Sequence, residues 1–257
     1  MSEYVDMLDL LSTVRPHADT LAWRDGTPLL HAGFVARVEA WYRLLQRTPG
    51  RDFALYFNDS FEFAAALLGA WQSGKTIYLP SDALPATCAG LQQVVDGYLG
   101  EFAAEWTPVS PQPEDNDGER CDFRRLTPDF IGLVVYTSGS TGQAQAVPKK
   151  LSQLAAEVAT LESLFGAALG AADIVATVSH QHIYGLLFKV LWPLAAGRAI
   201  QARSFTFPEE LAQATAARDC VLISSPAHLK RLPDSPVWAA ATHRLRAVFS
   251  SGGPLPL

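Results

Sequence analysis

The 257-residue chain predicts an α/β fold of stacked, mostly parallel sheets with helices on both faces, on three grounds. Short apolar runs of strand length alternate with longer stretches of helical periodicity. Three of those runs empty directly into glycine-, serine- or histidine-rich loops, which is where open α/β sheets bind ligands. Hydrophobic residues make up 49% and charged residues 18%, which suits a substantial core and excludes wholesale disorder.

Residues 29–46 read as a helix, because Phe34, Val35, Val38, Trp41, Tyr42 and Leu45 recur at three- and four-residue spacing. Residues 53–57 read as a buried strand, with N-cap candidates at Asn58, Asp59 and Ser60. A helix over 61–72 then ends at Ser73-Gly74, a strand covers 76–79, and 84–98 reads as helical. Strand–helix–strand order of this kind implies a parallel sheet covered on both faces. Pro108, Pro111, Pro113 and Pro128, interleaved with Glu114, Asp115, Asp117 and Glu119, make 107–129 a linker or long surface loop. The expected division is therefore a first α/β portion at 1–106, the linker at 107–129 and a second portion at 130–257. In that second portion Leu151, Leu154, Ala155, Val158, Leu161, Leu164 and Phe165 form a helical stripe expected in the core. Later strands are expected at 173–178, 199–200, 220–223 and 247–249, with helices at 184–195 and 207–217.

Composition narrows the function class. A formal net charge of −6 argues against a general nucleic-acid binder. The first residues, Met1-Ser2-Glu3-Tyr4-Val5-Asp6, have neither the basic start nor the apolar core of a signal peptide. The longest apolar helical stretch is interrupted by Lys189 and Pro193 and is too short to span a bilayer. Cys88, Cys121 and Cys220 are far apart and form no Cys-x-x-Cys pair, so neither a disulfide framework nor a zinc site is expected and a cytoplasmic location fits.

The segment Tyr136-Thr137-Ser138-Gly139-Ser140-Thr141-Gly142 carries the most chemistry. It follows the apolar run Phe130-Ile131-Gly132-Leu133-Val134-Val135, as a loop follows a buried strand. Glycine lets the backbone approach a ligand closely, successive backbone N–H groups form an anion-binding concavity, and hydroxyls add rotatable donors. A polyphosphate suits that set, and a polar turn between strands is the plainer alternative. The loop is not a Walker P-loop, since Gly142 is followed by Gln143-Ala144-Gln145 instead of a Gly-Lys-Ser/Thr ending.

Tyr136 to Gly142 resembles the signature loop of the adenylate-forming enzymes, which include acyl-CoA synthetases, aryl-CoA ligases and peptide-synthetase adenylation domains. The resemblance implies that Thr137, Ser138 and Thr141 act on the phosphates of ATP in catalysis, with Gly139, Ser140 and Gly142 completing the cradle. It implies Mg²⁺ as a second cofactor, an acyl-adenylate product and pyrophosphate as leaving group. The pattern departs where the family carries a lysine: this chain has Gln145. On an extended segment Lys149 faces the same way as Gln145, but roughly 13 Å further along.

Two more segments resemble the same family. Ser179-His180-Gln181-His182-Ile183-Tyr184-Gly185-Leu186 is similar to a strand-to-helix segment in which a histidine precedes a Gly-Leu pair. That similarity implies His182, Tyr184 and Gly185 at the acyl side of the pocket. From the residues alone, His180 and His182 are two candidate metal ligands, packed strand-end histidines, or pocket residues. Ser250-Ser251-Gly252-Gly253-Pro254-Leu255 resembles the family's glycine turn against adenine and acyl group, implicating Ser251, Gly252 and Gly253. Leu222 to Ala227 resembles the strand that ends in a proline turn beside the pocket.

The resemblance covers nearly all of the chain but only the front half of such an enzyme. It implies two flavodoxin-like subdomains, and an N-terminal fragment of an ATP-dependent carboxylate-activating ligase, inactive alone, whose parent forms an acyl thioester. The substrate would be an aryl or fatty carboxylic acid and the acceptor coenzyme A or an acyl carrier protein. The alternative is a noncatalytic nucleotide- or acyl-binding fragment or degenerate homologue.

Overall fold

Two sheets, each mostly parallel, make up the molecule, and the computed structural model describes residues 3–116, 120–138, 144–233 and 236–254. Strands β1 (Thr20–Arg24) and β2 (Thr27–Leu30) lead into helix α1 (His31–Arg47), then β3 (Asp52–Tyr56), α2 (Ser60–Gln72), β4 (Thr76–Leu79), α3 (Pro85–Leu91) and β5 (Gly97–Gly100). A short helix α4 (Pro113–Asn116) interrupts the proline-rich segment before β6 (Ile131–Ser138) and β7 (Ala144–Lys150). Then follow α5 (Leu151–Leu169), β8 (Asp173–Ala176), and a continuous helix of α6 (Ile183–Gly185), a π-helical stretch Leu186–Leu191 and α7 (Trp192–Ala196). The described chain finishes with β9 (Ile200–Gln201), α8 (Pro208–Ala216), β10 (Cys220–Ser224), α9 (Pro226–Leu229), α10 (Pro236–Thr242) and β11 (Leu245–Ser250).

The first sheet has strand order β5-β3-β4-β6-β7, and the second β11-β10-β8-β9-β1-β2. All neighbours are parallel except the two outer pairs, β6–β7 and β1–β2. Each of those antiparallel outer strands carries a proline, Pro148 in β7 and Pro28 in β2, a residue that edge strands tolerate because one side needs no donor. Sheet membership does not follow the expected division at 107–129. The hairpin β6–β7 lies beyond that segment yet belongs with β3, β4 and β5, and the early hairpin β1–β2 belongs to the later strands.

Two local expectations need correction. The stretch 84–98 is not one helix, since α3 ends at Leu91 and Gly97–Gly100 is a strand beside β3. Cys88, Leu91, Val95 and Tyr98 keep helical spacing, but the Asp96 carboxylate accepts the Arg51 and Asp52 N–H groups at 2.6 and 2.9 Å and draws the chain into the sheet. In the α5 stripe, Leu164 is 66% exposed and Phe165 lies at the surface against Phe249 and Trp192, so neither is core. The β1–β2 hairpin, which no expectation covered, turns at Asp25-Gly26, whose φ angles of 49° and 80° are those of a two-residue turn with both centres left-handed.

Helix α2 is the centre of the molecule. Every residue from Ser60 to Trp71 except Glu62 is buried, so it is apolar all round in the manner of a core helix. It crosses α1 at Gly69, where an added Cβ would stand 2.7 Å from the Trp41 Cβ and 3.0 Å from the Val38 carbonyl oxygen. Near its C-terminal end, the Trp71 indole donates to the Gly132 carbonyl of β6 at 2.8 Å. Its first turn is polar and faces the other sheet. Asp59 caps the helix by accepting from the Phe61 and Glu62 N–H groups at 2.9 and 3.0 Å, and its second oxygen accepts from Arg24 of β1 at 2.7 Å. The Ser60 N–H donates to the Ala202 carbonyl, just past β9, at 2.6 Å.

Lys189 lies in the same interior. It is fully buried, sits in the π-helical stretch and donates to the Ser204 hydroxyl at 2.8 Å, which in turn donates to the Val178 carbonyl at 2.8 Å. Burial pushes its ammonium down to about 7 from the ordinary 10.5, with the charge of Asp59 acting in the opposite sense.

Two outcomes follow from this packing. Gly69→Ala should lower the urea midpoint with little change in m, because overpacking costs of about 1–3 kcal/mol exceed a helix-propensity gain of about 1 kcal/mol; a raised midpoint would contradict the close α1–α2 approach. For Lys189, the folded chain binds fewer protons than the unfolded chain between about pH 7 and 10.5, so its contribution to stability rises with pH through that window and is lost as pH falls to about 7. Lys189→Met removes that slope. The stability of wild type minus variant should therefore increase from pH 7 towards pH 10 in urea titrations, and a constant difference would show that the ammonium is not desolvated.

Candidate active site

The carboxyl ends of the two parallel sheets meet at the first turn of α2. Residues Phe57, Asn58 and Asp59 leave the end of β3 there, and the bonds from Asp59 and Ser60 reach the ends of β1 and β9. The loops that leave these strand ends therefore lie along the junction of the two sheets, here called the crevice, the position in which α/β sheets hold ligands.

On the first sheet, β6 and β7 form the hairpin that flanks the signature loop. Thr137 lies opposite Gln145 and Ser138 opposite Ala144 in register. Gly139, Ser140, Thr141 and Gly142 lie outside the described residues, and only the backbone of Thr137 and Ser138 is described. Gln145 is exposed beside the turn. Neither lysine further along replaces it. The strand is extended through Lys150, Lys149 stands 3.9 Å from Glu157 on α5, and Lys150 pairs with Asp129 at 2.8 Å at the opposite end of the hairpin.

On the second sheet, the segment after β8 divides the histidines between two roles. His180 is buried, with Nδ1 2.9 Å from the Ser60 hydroxyl and Nε2 2.9 Å from the Phe57 carbonyl oxygen. A carbonyl only accepts, so Nε2 carries the proton and Nδ1 accepts from Ser60. Burial, reinforced by the charge of Lys189, holds the ring neutral by lowering its pKa well below the ordinary 6.5. The ring also packs on Phe63 at 4.3 Å between centroids. Gln181 is buried beside it, its amide nitrogen donating to the Leu55 carbonyl at 3.3 Å and its oxygen accepting the Phe57 N–H at 2.9 Å. His182 is exposed at the start of α6. Across the crevice, Asp82 past the end of β4 has its carboxyl pKa lowered, first by the Thr87 hydroxyl and to a lesser degree by the charge of His182. The two histidines thus do not face a common point, and both nitrogens of His180 are engaged within the protein.

Gly185 has a packing role of its own. A Cβ there would stand 2.0 Å from the Ser179 carbonyl oxygen, so the turn 179–185 closes on itself only with glycine. Tyr184 is half-buried and stacks on Phe188 at 4.8 Å. Its hydroxyl is buried against the Ser224 backbone without a hydrogen bond of good geometry, and burial pushes its pKa up to about 12.

The ends of β8, β10 and β11 carry a row of hydroxyls to which motif reading gave no role. Ser224 is the register partner of Ser250, and its hydroxyl lies 2.8 Å from that of Thr177. Ser225 and His228, one turn apart at the start of α9, are hydrogen-bonded at 2.9 Å. Strand-terminal Ser and Thr are too common in sequence to stand out; the pairing of β10 with both β8 and β11 is what assembles them. Ser251, Gly252 and Gly253 follow as an exposed turn, with Gly252 at φ 96°, a left-handed conformation that favours glycine. Open space surrounds a Cβ at Gly252, and a Cβ added at Gly253 would stand 3.9 Å from Pro226 of α9.

Of the expected site residues that are described, the backbone of Thr137 and Ser138 ends β6 in the first sheet, and His182, Tyr184 and Ser251 to Gly253 lie in segments that follow strands of the second. Among the described residues, no three His, Cys, Asp or Glu side chains converge. A separate groove of about 410 Å³ lies between the β1–β2 turn and α8. Its arginines are engaged, Arg203 with Asp25 and Glu210 at 3.3 Å and Arg218 stacked 3.5 Å over Trp23. No described helix is long and apolar enough to cross a membrane.

Comparison with known proteins follows the same lines. ATP-bound MatB from Rhodopseudomonas palustris superposes with a TM-score of 0.82 over 98% of this chain and 56% of that one, at 16% identity. The o-succinylbenzoate CoA synthetase MenE from Bacillus subtilis gives 0.79 over 99% of this chain and 55% of that one, at 14% identity. The amide bond synthetase McbA from Marinactinospora thermotolerans gives 0.75 over 98% and 55%, at 18% identity. The chain thus spans about half the length of these structures, and at such identities the likeness is one of fold. No curated protein matches the sequence. The family model described as AMP-binding enzyme matches residues 80–257, more than half of the chain and the whole stretch from the end of β4 through all three motif segments. This chain belongs to the AMP-binding enzyme family.

Proposed function

We propose that the crevice is the front half of an ATP-dependent carboxylate-activating site, and that the parent protein forms an acyl-adenylate with release of pyrophosphate. The observation that carries this reading is the match to the AMP-binding family together with the siting of its motif segments at the carboxyl ends of two sheets. In this reading the turn after β6 holds the phosphates through backbone N–H groups and the hydroxyls of Thr137, Ser138, Ser140 and Thr141. Ser251, Gly252 and Gly253 lie along the adenine and the reacting carboxylate, and His182 and Tyr184 border the acid. A carboxylate is already ionised at neutral pH, so attack on the α-phosphate needs alignment and charge stabilisation and no general base. Mg²⁺, when bound with ATP, supplies neutralisation of the phosphate charge.

The adenylate then passes to a thiol, of coenzyme A or of a carrier protein, to give an acyl thioester. MenE is named for a CoA synthetase activity and MatB was solved with ATP bound, which supports this order of partners.

A second reading, a noncatalytic nucleotide- or acyl-binding module, is favoured by one feature. The position that resembles the family's lysine is Gln145, and Lys149 and Lys150 are committed elsewhere. Calorimetric titration of ATP–Mg²⁺ into the 257-residue chain tests both. Micromolar binding that Thr141→Val abolishes is the expected result, and Gln145→Lys should tighten it about tenfold by adding one charge-assisted contact. Binding indifferent to Thr141→Val would exclude the phosphate-cradle role of the loop, and affinity unchanged by Gln145→Lys would place the phosphates away from β7.

A further inference from the structure

His180 is a residue that the site reading leaves without a part, although it adjoins the segment that borders the acid. Its two ring nitrogens bind two separate pieces of the first sheet's layer, Ser60 at the start of α2 and the Phe57 carbonyl past β3, each at 2.9 Å. Gln181 adds two more bonds to the end of β3, at Leu55 and Phe57. Two consecutive side chains from the second sheet's connection thus satisfy backbone groups at the carboxyl end of the first sheet. The remaining hydrogen bonds of the segment among the described residues are local, while Tyr184 also packs against the Ser224 backbone. The Gln181 N–H donates to the Ser179 hydroxyl at 3.1 Å, the Leu186 N–H donates to the His182 carbonyl at 2.8 Å, and Gly185 closes on the Ser179 carbonyl. The turn 179–185 is therefore internally tight, and it is registered against the opposite layer through His180 and Gln181.

From this geometry we infer that His180 is a positioning residue: it clamps the turn 179–185 to the end of β3 and so sets where His182 and Tyr184 stand relative to the carboxyl end of the first sheet. The inference rests on the proposed function only for what His182 and Tyr184 border; the clamp itself is a property of the two layers. A buried, neutral, doubly bonded imidazole suits the task, because it spans the gap between a hydroxyl and a carbonyl with a rigid ring and leaves no ring nitrogen unsatisfied. Phe63 behind the ring fixes its plane.

The test uses residue-resolved amide hydrogen exchange on the full chain, with ATP–Mg²⁺ titration run in parallel. His180→Phe keeps ring volume and the Phe63 contact but removes both bonds. Exchange at residues 183–187 should accelerate about tenfold while amides of β3, β6 and β10 keep their protection, because a local anchor and not the global fold is lost. His180→Gln, whose amide donates to the Phe57 carbonyl in place of Nε2, should restore most of the protection. Ser60→Ala removes only the Nδ1 partner and gives a folded intermediate case should His180→Phe fail to fold, with a smaller acceleration confined to the same residues. Uniform acceleration over both sheets would reduce His180 to a general core residue, and unchanged exchange at 183–187 in all variants would remove the clamp; either result overturns the inference. Wild-type binding of ATP–Mg²⁺ with unchanged exchange would sink the clamp alone, whereas absent ATP binding with localised acceleration would sink the ATP-site reading and leave the clamp standing.

Discussion

The polar first turn of α2 is the constraint on which the two-layer arrangement depends. A helix buried on nearly every face still has N–H groups at its start that no helical carbonyl can accept. Asp59 satisfies two of them, Arg24 neutralises Asp59 from the second sheet, and Ser60 and Phe57 pass their remaining bonds to Ala202 and His180. Leaving a buried member of this set, the Ser60 hydroxyl or the Phe57 carbonyl, unpaired costs on the order of 1–3 kcal/mol. The two sheets are consequently locked with their carboxyl ends together, and the crevice is a by-product of satisfying that helix terminus.

Much of this was legible from residues alone. The helix over α2, a cap among Asn58, Asp59 and Ser60, and the strand before the signature loop were readable from periodicity and N-cap chemistry. The exposed Ser251-Gly252-Gly253 turn was readable from its glycines, and the left-handed φ of Gly252 gives the physical reason for one of them. The connectivity of the sheets was not legible. That β1 pairs with β9, some 180 residues away in sequence, is a non-local contact with no local signature. Strand β5 was hidden because the stretch leading into it keeps helical spacing while hydrogen bonds donated by the Arg51 and Asp52 N–H groups to Asp96 override it. The division of labour between His180 and His182 was likewise invisible, since spacing alone assigns both to one face of an extended chain that the structure replaces with a closed turn.

The cations nearest in sequence to the phosphate-loop hairpin, Lys149 and Lys150, are paired with acids of the scaffold. Lys189 is dry and fully buried behind the joint, with only Ser204 accepting from it at hydrogen-bond distance among the described residues. A polyphosphate in this crevice would rely on backbone dipoles, hydroxyls and accompanying Mg²⁺ more than on lysine. That dependence is a physical consequence of Gln145 and separates this chain from the pattern it otherwise resembles.

A crystal structure of the 257-residue chain grown with ATP–Mg²⁺ tests the central claim most directly. The account predicts triphosphate density at the turn between β6 and β7 and the adenine beside Ser251 to Gly253, with His180 still bonded to Ser60 and Phe57. Nucleotide seated instead in the groove between Trp23 and Arg218, or a β6–β7 turn with no phosphate at it while nucleotide is bound elsewhere, would contradict it.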